Sequence, residues 1–153
     1  MLPRWHILWG GLFTGVLFFL SGGLEGMPWY HYALIFLASV FIDVDHYLAA
    51  GLKTGSWRLG DALEYYQMQG LQVQKDQHKG IRKVYDFHLF HTIEFHLLIA
   101  LIGIWWQPAF YLFIGMVFHT LLDIFSLLHR DYLYMREFFL SAWLWNKVSE
   151  GFD

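Results

Sequence analysis

The chain has 153 residues, a formal net charge of −3 and no cysteine, and 57% of it is hydrophobic, 21% aromatic and only 15% charged. Ordinary soluble domains carry about 25% charged residues, so this chain has too little charge to cover a water-facing surface. The acidic balance excludes nucleic-acid binding steered by net charge. The lack of cysteine excludes disulfides, thiolate metal sites and cysteine nucleophiles. Length and composition therefore predict one small integral membrane domain over residues 1–153.

Four apolar stretches are long enough, or nearly so, to cross a hydrocarbon core, which takes about 20 residues of helix. They cover residues 5–21, 29–48, 87–106 and 109–128. The first has features of a signal peptide, but residues 21–23 form a weak cleavage site and another span follows, so we expect it to be retained. The four stretches predict an all-α fold, an integral membrane four-helix bundle.

The basic residues of the connections all fall on one side of these spans. The loop 51–86 is rich in Lys and Arg, whereas the connections 22–28 and 107–108 contain neither. The positive-inside rule places this loop and both termini in the cytoplasm. Within the loop, residues 59–68 favour a short interfacial helix. The tail 129–153 reads as an amphipathic interfacial segment, with Trp143 and Trp145 at headgroup level.

Acidic and imidazole side chains gather at the cytoplasmic level of the predicted helices. An acidic residue near the centre of a span costs about 2.5–3.5 kcal/mol on insertion scales, so such a set needs compensation. Because the orientation rests on Lys and Arg alone, this common level is an independent observation. The ten candidate donors are His6, Asp43, Asp45, His46, His88, His91, Glu94, His96, His119 and Asp123.

Helical spacing predicts how some of these donors face one another. His119 and Asp123 are four residues apart and share a helix face, as His88 and His91 do at a spacing of three. At 100° per residue, His96 lies on the other side of His88 from His91. Which of the residues in this third stretch bind a metal directly stays open: His88, His91, Glu94 and His96.

The donor set predicts a transition-metal site. Ten donors exceed the three protein ligands of a single catalytic zinc and suit two ions, with the excess orienting the ligands. Imidazole with carboxylate favours zinc or manganese for hydrolysis, with iron as the alternative. The structural readings are an interhelical ion pair for His119 and Asp123, and a helix cap for residues 43–46. We expect solvated or interfacial roles for His31 and His78.

The order of these motifs resembles a known family, the small bacterial and archaeal membrane-bound metal-dependent hydrolases. Its members carry an early His, an acid-x-acid-His motif, a two-His motif and a late His-x-x-x-Asp. The matching elements here are His6, Asp43-Val44-Asp45-His46, the pair His91 and His96, and His119-Thr-Leu-Leu-Asp123. That family is in turn similar to zinc-dependent phospholipase C and the single-strand nucleases. The resemblance implies that the protein is located in a prokaryotic inner (cytoplasmic) membrane.

The two-His motif departs from the family pattern. The family usually has His-Arg-Gly-x-Thr-His-Ser, whereas this chain has His91-Thr-Ile-Glu-Phe-His96. The missing Arg would be a natural phosphate clamp. An alternative match is His88 with His91, with Glu94 as the third ligand.

Residues and resemblance together predict a hydrolase of a phosphoester or phospholipid at the cytoplasmic leaflet, using a water activated by two metals. Glu94 is the expected general base, and Asp45 a second catalytic carboxylate. Arg82, Lys83 and Arg130 are expected to hold an anionic headgroup. The expected partners are membrane lipid and a small-molecule or lipid phosphoester, with no nucleic acid, and a homo-oligomer is compatible with the sequence. The predicted metal ligands are His6, Asp43, Asp45, His46, His88, His91, His96, His119 and Asp123.

Two other functions are compatible with the same donors. A diiron oxidase or hydroxylase acting on lipid chains also places His clusters at the cytoplasmic ends of helices, and bound iron would identify it. The second is a non-catalytic membrane scaffold in which a metal ion links the helices. Its metal would remain bound during dialysis and would carry no exchangeable water.

Overall fold

The computed structural model of the chain describes residues 3–150, and this part contains helices and connecting segments but no strand. The predicted all-α class is therefore confirmed. Residues 151–153 of the predicted tail lie outside the described residues, as do the first two residues of the domain. The helices are α1 (Pro3–Leu20), α2 (Trp29–Phe41), α3 (Val44–Thr54), α4 (Leu59–His78), α5 (Ile93–Trp105), α6 (Gln107–His129) and α7 (Leu140–Glu150).

Helix α6 is the centre of the packing. It contacts α2 and α5 along its length, α1 packs on α2, and α3 packs on α4. Gly115 permits the close approach of α6 to α2, because a Cβ there would lie 2.3 Å from the Ile35 carbonyl oxygen and 2.8 Å from the Ala38 Cβ. Gly10 likewise lets α1 approach Ser39 of α2. Small residues thus bring three of the helices close together.

Two helices are long and apolar enough, by length and composition, to cross a membrane. They are the segment Trp29–Thr54, which joins α2 and α3, and Gln107–His129. The apolar helices α1 and α5 are shorter. At 1.5 Å per residue, the 13 residues of α5 extend about 20 Å, which is less than the hydrocarbon thickness of about 30 Å.

The third predicted stretch, 87–106, is helical only in part. Residues 81–88 have no regular structure, Leu89–His91 form a single 3₁₀ turn, and α5 begins at Ile93. The Thr92 hydroxyl accepts a 3.3 Å hydrogen bond from the Phe95 backbone N–H, so Thr92 caps the helix and separates it from the preceding segment. The predicted helical spacing of His88 and His91 is therefore wrong.

The second predicted stretch, 29–48, is interrupted and longer than expected. The helix breaks at residues 42–43, restarts at Val44 and continues to Thr54. Asp43 stands at the N-cap position of α3 with φ −68° and ψ 2°, but its carboxylate makes no cap bond. The break frees this carboxylate to face the neighbouring helices.

The loop 51–86 contains more helix than predicted. The short helix expected over 59–68 extends to His78. Asp86 ties the end of this loop to both neighbouring helices, because its carboxylate pairs with Lys53 of α3 and accepts a 2.8 Å hydrogen bond from Gln69 of α4. The chain is thus anchored directly before His88.

The C-terminal tail folds back onto the start of α5. The Ile93 N–H donates to the Phe138 carbonyl at 2.9 Å, and the Trp143 ring stacks on Phe87 with centroids 4.3 Å apart. Trp145 is 75% exposed. Of the two tryptophans expected at headgroup level, only Trp145 therefore projects from the surface.

Candidate metal centre

The structure brings seven of the nine predicted ligands into two groups. Within each group, one possible ligand atom from every residue lies within 4.8 Å of the others. These residues come from the α2–α3 junction, the segment before α5, and α6. We call Asp43, His91, His119 and Asp123 the first donor group, and Asp45, His46 and His88 the second donor group.

The first donor group has the dimensions of a tetrahedral metal site. The Nε2 atoms of His91 and His119 are 3.3 Å apart, and each is 3.3 Å from Oδ1 of Asp43. Ligands of a tetrahedral zinc with bonds of about 2.0–2.1 Å are separated by about 3.3–3.4 Å. The three atoms therefore match one face of such a tetrahedron.

The far nitrogens of both imidazoles are held by acceptors. His119 Nδ1 lies 2.9 Å from the Ser39 carbonyl oxygen, and His91 Nδ1 lies 3.2 Å from Oδ2 of Asp45. Because a carbonyl and a carboxylate accept hydrogen bonds, each Nδ1 is placed to donate, which leaves each Nε2 available to a metal ion. The two Nε2 atoms face each other at 3.3 Å beside a carboxylate, an arrangement that a bound cation stabilises.

Asp123 supplies the fourth donor and is supported by His6. Its Oδ2 lies 3.5 Å from His119 Nε2 and 3.9 Å from His91 Nε2, while its Oδ1 lies 3.3 Å from His6 Nε2. The His6 ring is fully buried and stacks on His119 with centroids 3.9 Å apart. His6 Nδ1 has no hydrogen-bond partner among the described residues. His6 thus lies behind the first donor group and is absent from the four-atom set.

The second donor group is arranged differently. His46 Nδ1 lies 2.9 Å from Oδ1 of Asp45, but the His46 and His88 rings are stacked 3.6 Å apart at an interplanar angle of 9°. Nitrogen lone pairs lie in the ring plane, so those of two nearly parallel rings lie in separate planes and do not converge on one point. His88 Nδ1 is buried, 3.9 Å from Oδ1 of Asp45, and without a hydrogen bond in the described part of the chain.

Asp43 connects the two groups and opens the site. Besides its contacts in the first donor group, its Oδ1 lies 3.3 Å from His46 Nδ1. Its side chain is 26% exposed, whereas those of His91, His119 and Asp123 are at most 3% exposed. A ligand therefore reaches the first donor group from the side of Asp43.

A helix of the loop 51–86 lies against the second donor group. The Tyr66 hydroxyl of α4 donates to the His46 carbonyl at 3.0 Å, and its ring centroid lies 6.4 Å from that of His88. Part of the loop 51–86 therefore covers this side of the site.

His96, a predicted ligand, belongs to neither group. Its Nδ1 donates to the Thr92 carbonyl at 2.9 Å, and its Nε2 accepts from the Thr120 hydroxyl at 3.1 Å. Both ring nitrogens are thus bonded within the protein. His96 links α5 to α6, and its spacing from His91 is not that of a ligand pair.

Glu94, the predicted general base, caps α7. Its carboxylate accepts hydrogen bonds from the backbone N–H groups of Leu140 and Ser141 at 2.9 and 3.0 Å, and from the Ser141 hydroxyl at 2.8 Å. Negative charge at a helix N-terminus is stabilising. Neither donor group includes Glu94, so the geometry gives it a structural role and not that of a base.

The three predicted headgroup residues are directed elsewhere. Arg82 pairs with Asp131 at 3.0 Å, and Lys83 pairs with Asp76 at 3.0 Å. Arg130 is exposed at the end of α6. Arg82 and Lys83 thus pair with tail and loop carboxylates that lie outside both donor groups.

Arg136 is the residue at the site that sequence reasoning missed. Its Nη1 lies 2.9 Å from Oδ2 of Asp123, and its side chain is only 11% exposed. The tail delivers it through the contacts that fix Phe138 to the start of α5. The available signal was Arg136 next to Glu137 within the otherwise largely apolar segment 132–140, where a charge implies a partner.

The predicted environment of His31 is also wrong. The sequence predicted a solvated or interfacial residue, but the ring is 3% exposed and stacks on Tyr111 with centroids 3.9 Å apart. His78 is exposed as expected. Neither residue belongs to a donor group.

No protein-family model, curated protein or solved structure matches the chain. The resemblance to the small membrane-bound metal-dependent hydrolases thus stays a prediction, and the geometry of the donors carries the functional argument.

Proposed function

We propose that this chain is a membrane-embedded, metal-dependent hydrolase that cleaves a phosphoester. Helices α1, α2, α5 and α6 form a four-helix bundle in the bilayer, and the donor groups lie at its cytoplasmic face. The observation that carries the proposal is the set of three donor atoms in the first donor group, each 3.3 Å from the other two.

The surface of the helices supports the membrane location. Large apolar side chains project from all four of them, and exposed apolar patches of this extent mark membrane or protein contacts. Among the most exposed are Phe19 at 82%, Trp105 at 81% and Phe125 at 69%. The Lys and Arg bias of the loop 51–86 supports the cytoplasmic placement.

Zinc or manganese is the metal that these ligands favour. Two imidazoles and two carboxylates form the first donor group, and nitrogen with oxygen ligation selects such ions over calcium or magnesium. Asp45 and the Ser39 carbonyl orient the two imidazoles, as outer-shell partners of metal ligands do. In this proposal, Asp45 is a positioning residue for His91.

A metal ion bound there would supply Lewis acidity and a water made acidic near neutral pH. The rest of the reaction falls to side chains of this chain. Asp43 forms the accessible side of the site, where substrate enters. Arg136 places a guanidinium beside Asp123, and the planar fork of this group can bind two oxygens of a phosphate at once. This supports a phosphoester as the substrate.

The second donor group extends the site toward a second ion. Oδ1 of Asp43 lies 3.3 Å from His91 Nε2 in the first donor group and 3.3 Å from His46 Nδ1 in the second, so this carboxylate is placed to bridge. Two-metal hydrolases place their ions about 3.5–4 Å apart. For the stacked rings of His46 and His88 to ligate together, one of them must turn.

Hydrolysis of a chromogenic phosphodiester, bis(p-nitrophenyl) phosphate, tests the proposal. Untagged protein in detergent should release nitrophenol with zinc or manganese and lose this activity with a chelator. His91→Ala should be inactive, whereas His31→Ala, a buried histidine outside the donor groups, should retain activity. Iron-dependent oxygen consumption would replace the proposal with an oxidase. Tightly held metal with no turnover of phosphoesters would replace it with a scaffold.

A further inference from the structure

An apolar groove lies between α2, α5 and α6. It encloses about 300 Å³ and opens on the outer surface of these helices. All nine side chains that line it are apolar, among them Leu37, Phe41, Phe95, Ile99, Leu112 and Met116. Phe41 and Leu37 at its mouth are 63% and 44% exposed. We call this feature the acyl groove.

The acyl groove begins where the first donor group ends. Ile42 of the groove precedes Asp43, and Phe90 precedes His91. The Phe90 N–H also donates to Oδ2 of Asp45 at 3.0 Å. The groove wall and the donors are therefore neighbours on two separate segments of the chain.

Helix α6 gives the direction of the groove. Met116 stands one turn before His119, and Leu112 stands one turn further. At 1.5 Å per residue, His119 and Leu112 are separated by about 10 Å along the axis. The groove thus runs from the donor level toward the N-terminal end of α6. With the donors at the headgroup level of the proposed bundle, this is the direction in which a lipid chain leaves its headgroup in a bilayer.

We propose that the acyl groove binds the hydrocarbon chain of a lipid whose phosphoester headgroup lies at the first donor group. This inference rests on the proposed function and names its substrate as a phospholipid rather than a water-soluble phosphoester. Arg136 beside Asp123 supplies a cationic group at the headgroup end, and the groove supplies apolar contact at the chain end. A phospholipid has both an anionic headgroup and an apolar chain, so it matches both ends.

Headgroup dependence distinguishes this binding from ordinary lipid contact. Lipid tails are as apolar as the groove, so burial alone gives a chain no preference for it over the bilayer. Selectivity then comes from the headgroup that ties the chain to the donors. A lipid with the same chains and no phosphate should occupy the groove no more than any other lipid-facing surface.

Photo-crosslinking tests the proposal on the zinc-loaded protein in phosphatidylcholine vesicles. The probe is phosphatidylglycerol with a diazirine in one acyl chain, present in excess over the protein; it is activated by light, and the adducts are mapped by peptide mass spectrometry. Parallel vesicles of digalactosyldiacylglycerol, a bilayer lipid without phosphate, remove competition from the phosphodiester of phosphatidylcholine. We expect labelling at Phe95, Ile99 and Leu112 to be severalfold higher than with a diazirine diacylglycerol of the same chains. Equal labelling by the two lipids would overturn the proposal.

Neighbouring positions on α5 provide a matched pair of variants. Ile99→Trp fills the groove and should reduce labelling severalfold, whereas Leu98→Trp, at a 51% exposed position outside the groove lining, should leave it unchanged. Leu112→Trp fills the groove from α6 and serves if Ile99→Trp does not fold. Unchanged labelling in a folded groove variant, or crosslinks to a second copy in place of lipid, would contradict the proposal.

This experiment separates the two proposals, because labelling needs no turnover. Headgroup-dependent labelling without hydrolysis of any phosphoester would leave lipid binding in place and remove the hydrolase. Hydrolysis of bis(p-nitrophenyl) phosphate without groove labelling would keep the hydrolase and remove the acyl groove as a binding site.

Discussion

The two donor groups use the same side-chain types but differ in how their imidazoles are directed. The rings of His91 and His119 lie 5.2 Å apart at 60°, and their Nε2 atoms converge. The rings of His46 and His88 lie 3.6 Å apart at 9°, so their lone pairs lie in nearly parallel planes and do not converge. Buried His and Asp residues therefore define a metal site through convergent lone pairs, and their number alone does not.

The support behind each imidazole differs in the same way. Acceptors fix both far nitrogens of the first donor group, at Ser39 and Asp45. In the second donor group, His46 Nδ1 lies near Asp45 and Asp43, and His88 Nδ1 has no hydrogen bond in the described part. A pre-oriented ligand loses less freedom on binding a metal, so we expect the first donor group to hold the tighter ion.

The largest expected effect is from His119→Ala. This change removes one corner of the 3.3 Å triangle and the partner of Asp123, and the tightly bound metal should be lost. Inductively coupled plasma mass spectrometry of untagged protein measures this directly. His31→Ala is the matched control, since it also removes a buried, stacked histidine but should keep its metal. Equal metal content in both variants would contradict the assignment of the first donor group as the metal site.

Asp45→Asn should have the next largest effect. Asp45 belongs to the second donor group but accepts from His91 Nδ1, so its charge also orients a ligand of the first. Loss of such an outer-shell partner costs about 10–100-fold in metal affinity. Competition with a fluorescent chelator gives the affinity. An unchanged affinity would show that the two groups act independently.

His88→Ala tests the second donor group separately from the first. The tighter ion should remain with unchanged affinity, because His88 contacts no residue of the first donor group through its nitrogens in the described structure. Any second ion should be lost. Native mass spectrometry counts the ions on each chain. Loss of all metal from a folded variant would mean that the second donor group is the principal site.

The smallest expected effect lies in the loop 51–86, away from both donor groups. Hydrogen bonds from Tyr85 at 2.6 Å and Lys83 at 3.0 Å hold the pKa of the Asp76 carboxyl below its ordinary value of 3.8. The charged carboxylate thus stabilises the fold above pH 3.8, and this contribution is lost as the pH falls through the folded-state pKa.

Asp76→Asn should accordingly lower the Tm modestly at neutral pH and leave the metal content unchanged. The Tm difference from wild type should shrink in acid, and thermal unfolding at a series of pH values follows it. A difference that grows with acidity would contradict the direction of this pKa shift.

The sequence predicted the common level of the donors because loop charges and helix spacing are local signals. His119 and Asp123 do share a face of α6, and the two acids at residues 43 and 45 do meet the histidines of other elements. The helical class and the central helix, predicted over 109–128, also followed from apolar length.

The prediction from local sequence was wrong for the segment before α5. Thr92 caps α5, and this cap leaves His88 and His91 in an irregular segment instead of on a helix face. A threonine hydroxyl can either cap a helix or lie within it, and spacing alone does not decide between them. Helix periodicity was therefore the wrong guide for this stretch.

Long-range contacts also changed the roles of two charged residues. Glu94 was expected among the donors, but the tail returns to place the N-terminus of α7 on its carboxylate. The same return carries Arg136 to Asp123. Sequence patterns within one segment contain no information about such a return, because it depends on packing between residues far apart in the chain.

Zinc titration of the untagged wild-type protein against a competing fluorescent chelator tests the central claim most directly. If the first donor group is a metal centre, each chain should bind at least one zinc ion tightly enough to withdraw it from the chelator. A well-folded protein that withdraws no zinc, and gains none on prolonged incubation, would show that these His and Asp residues only hold the helices together.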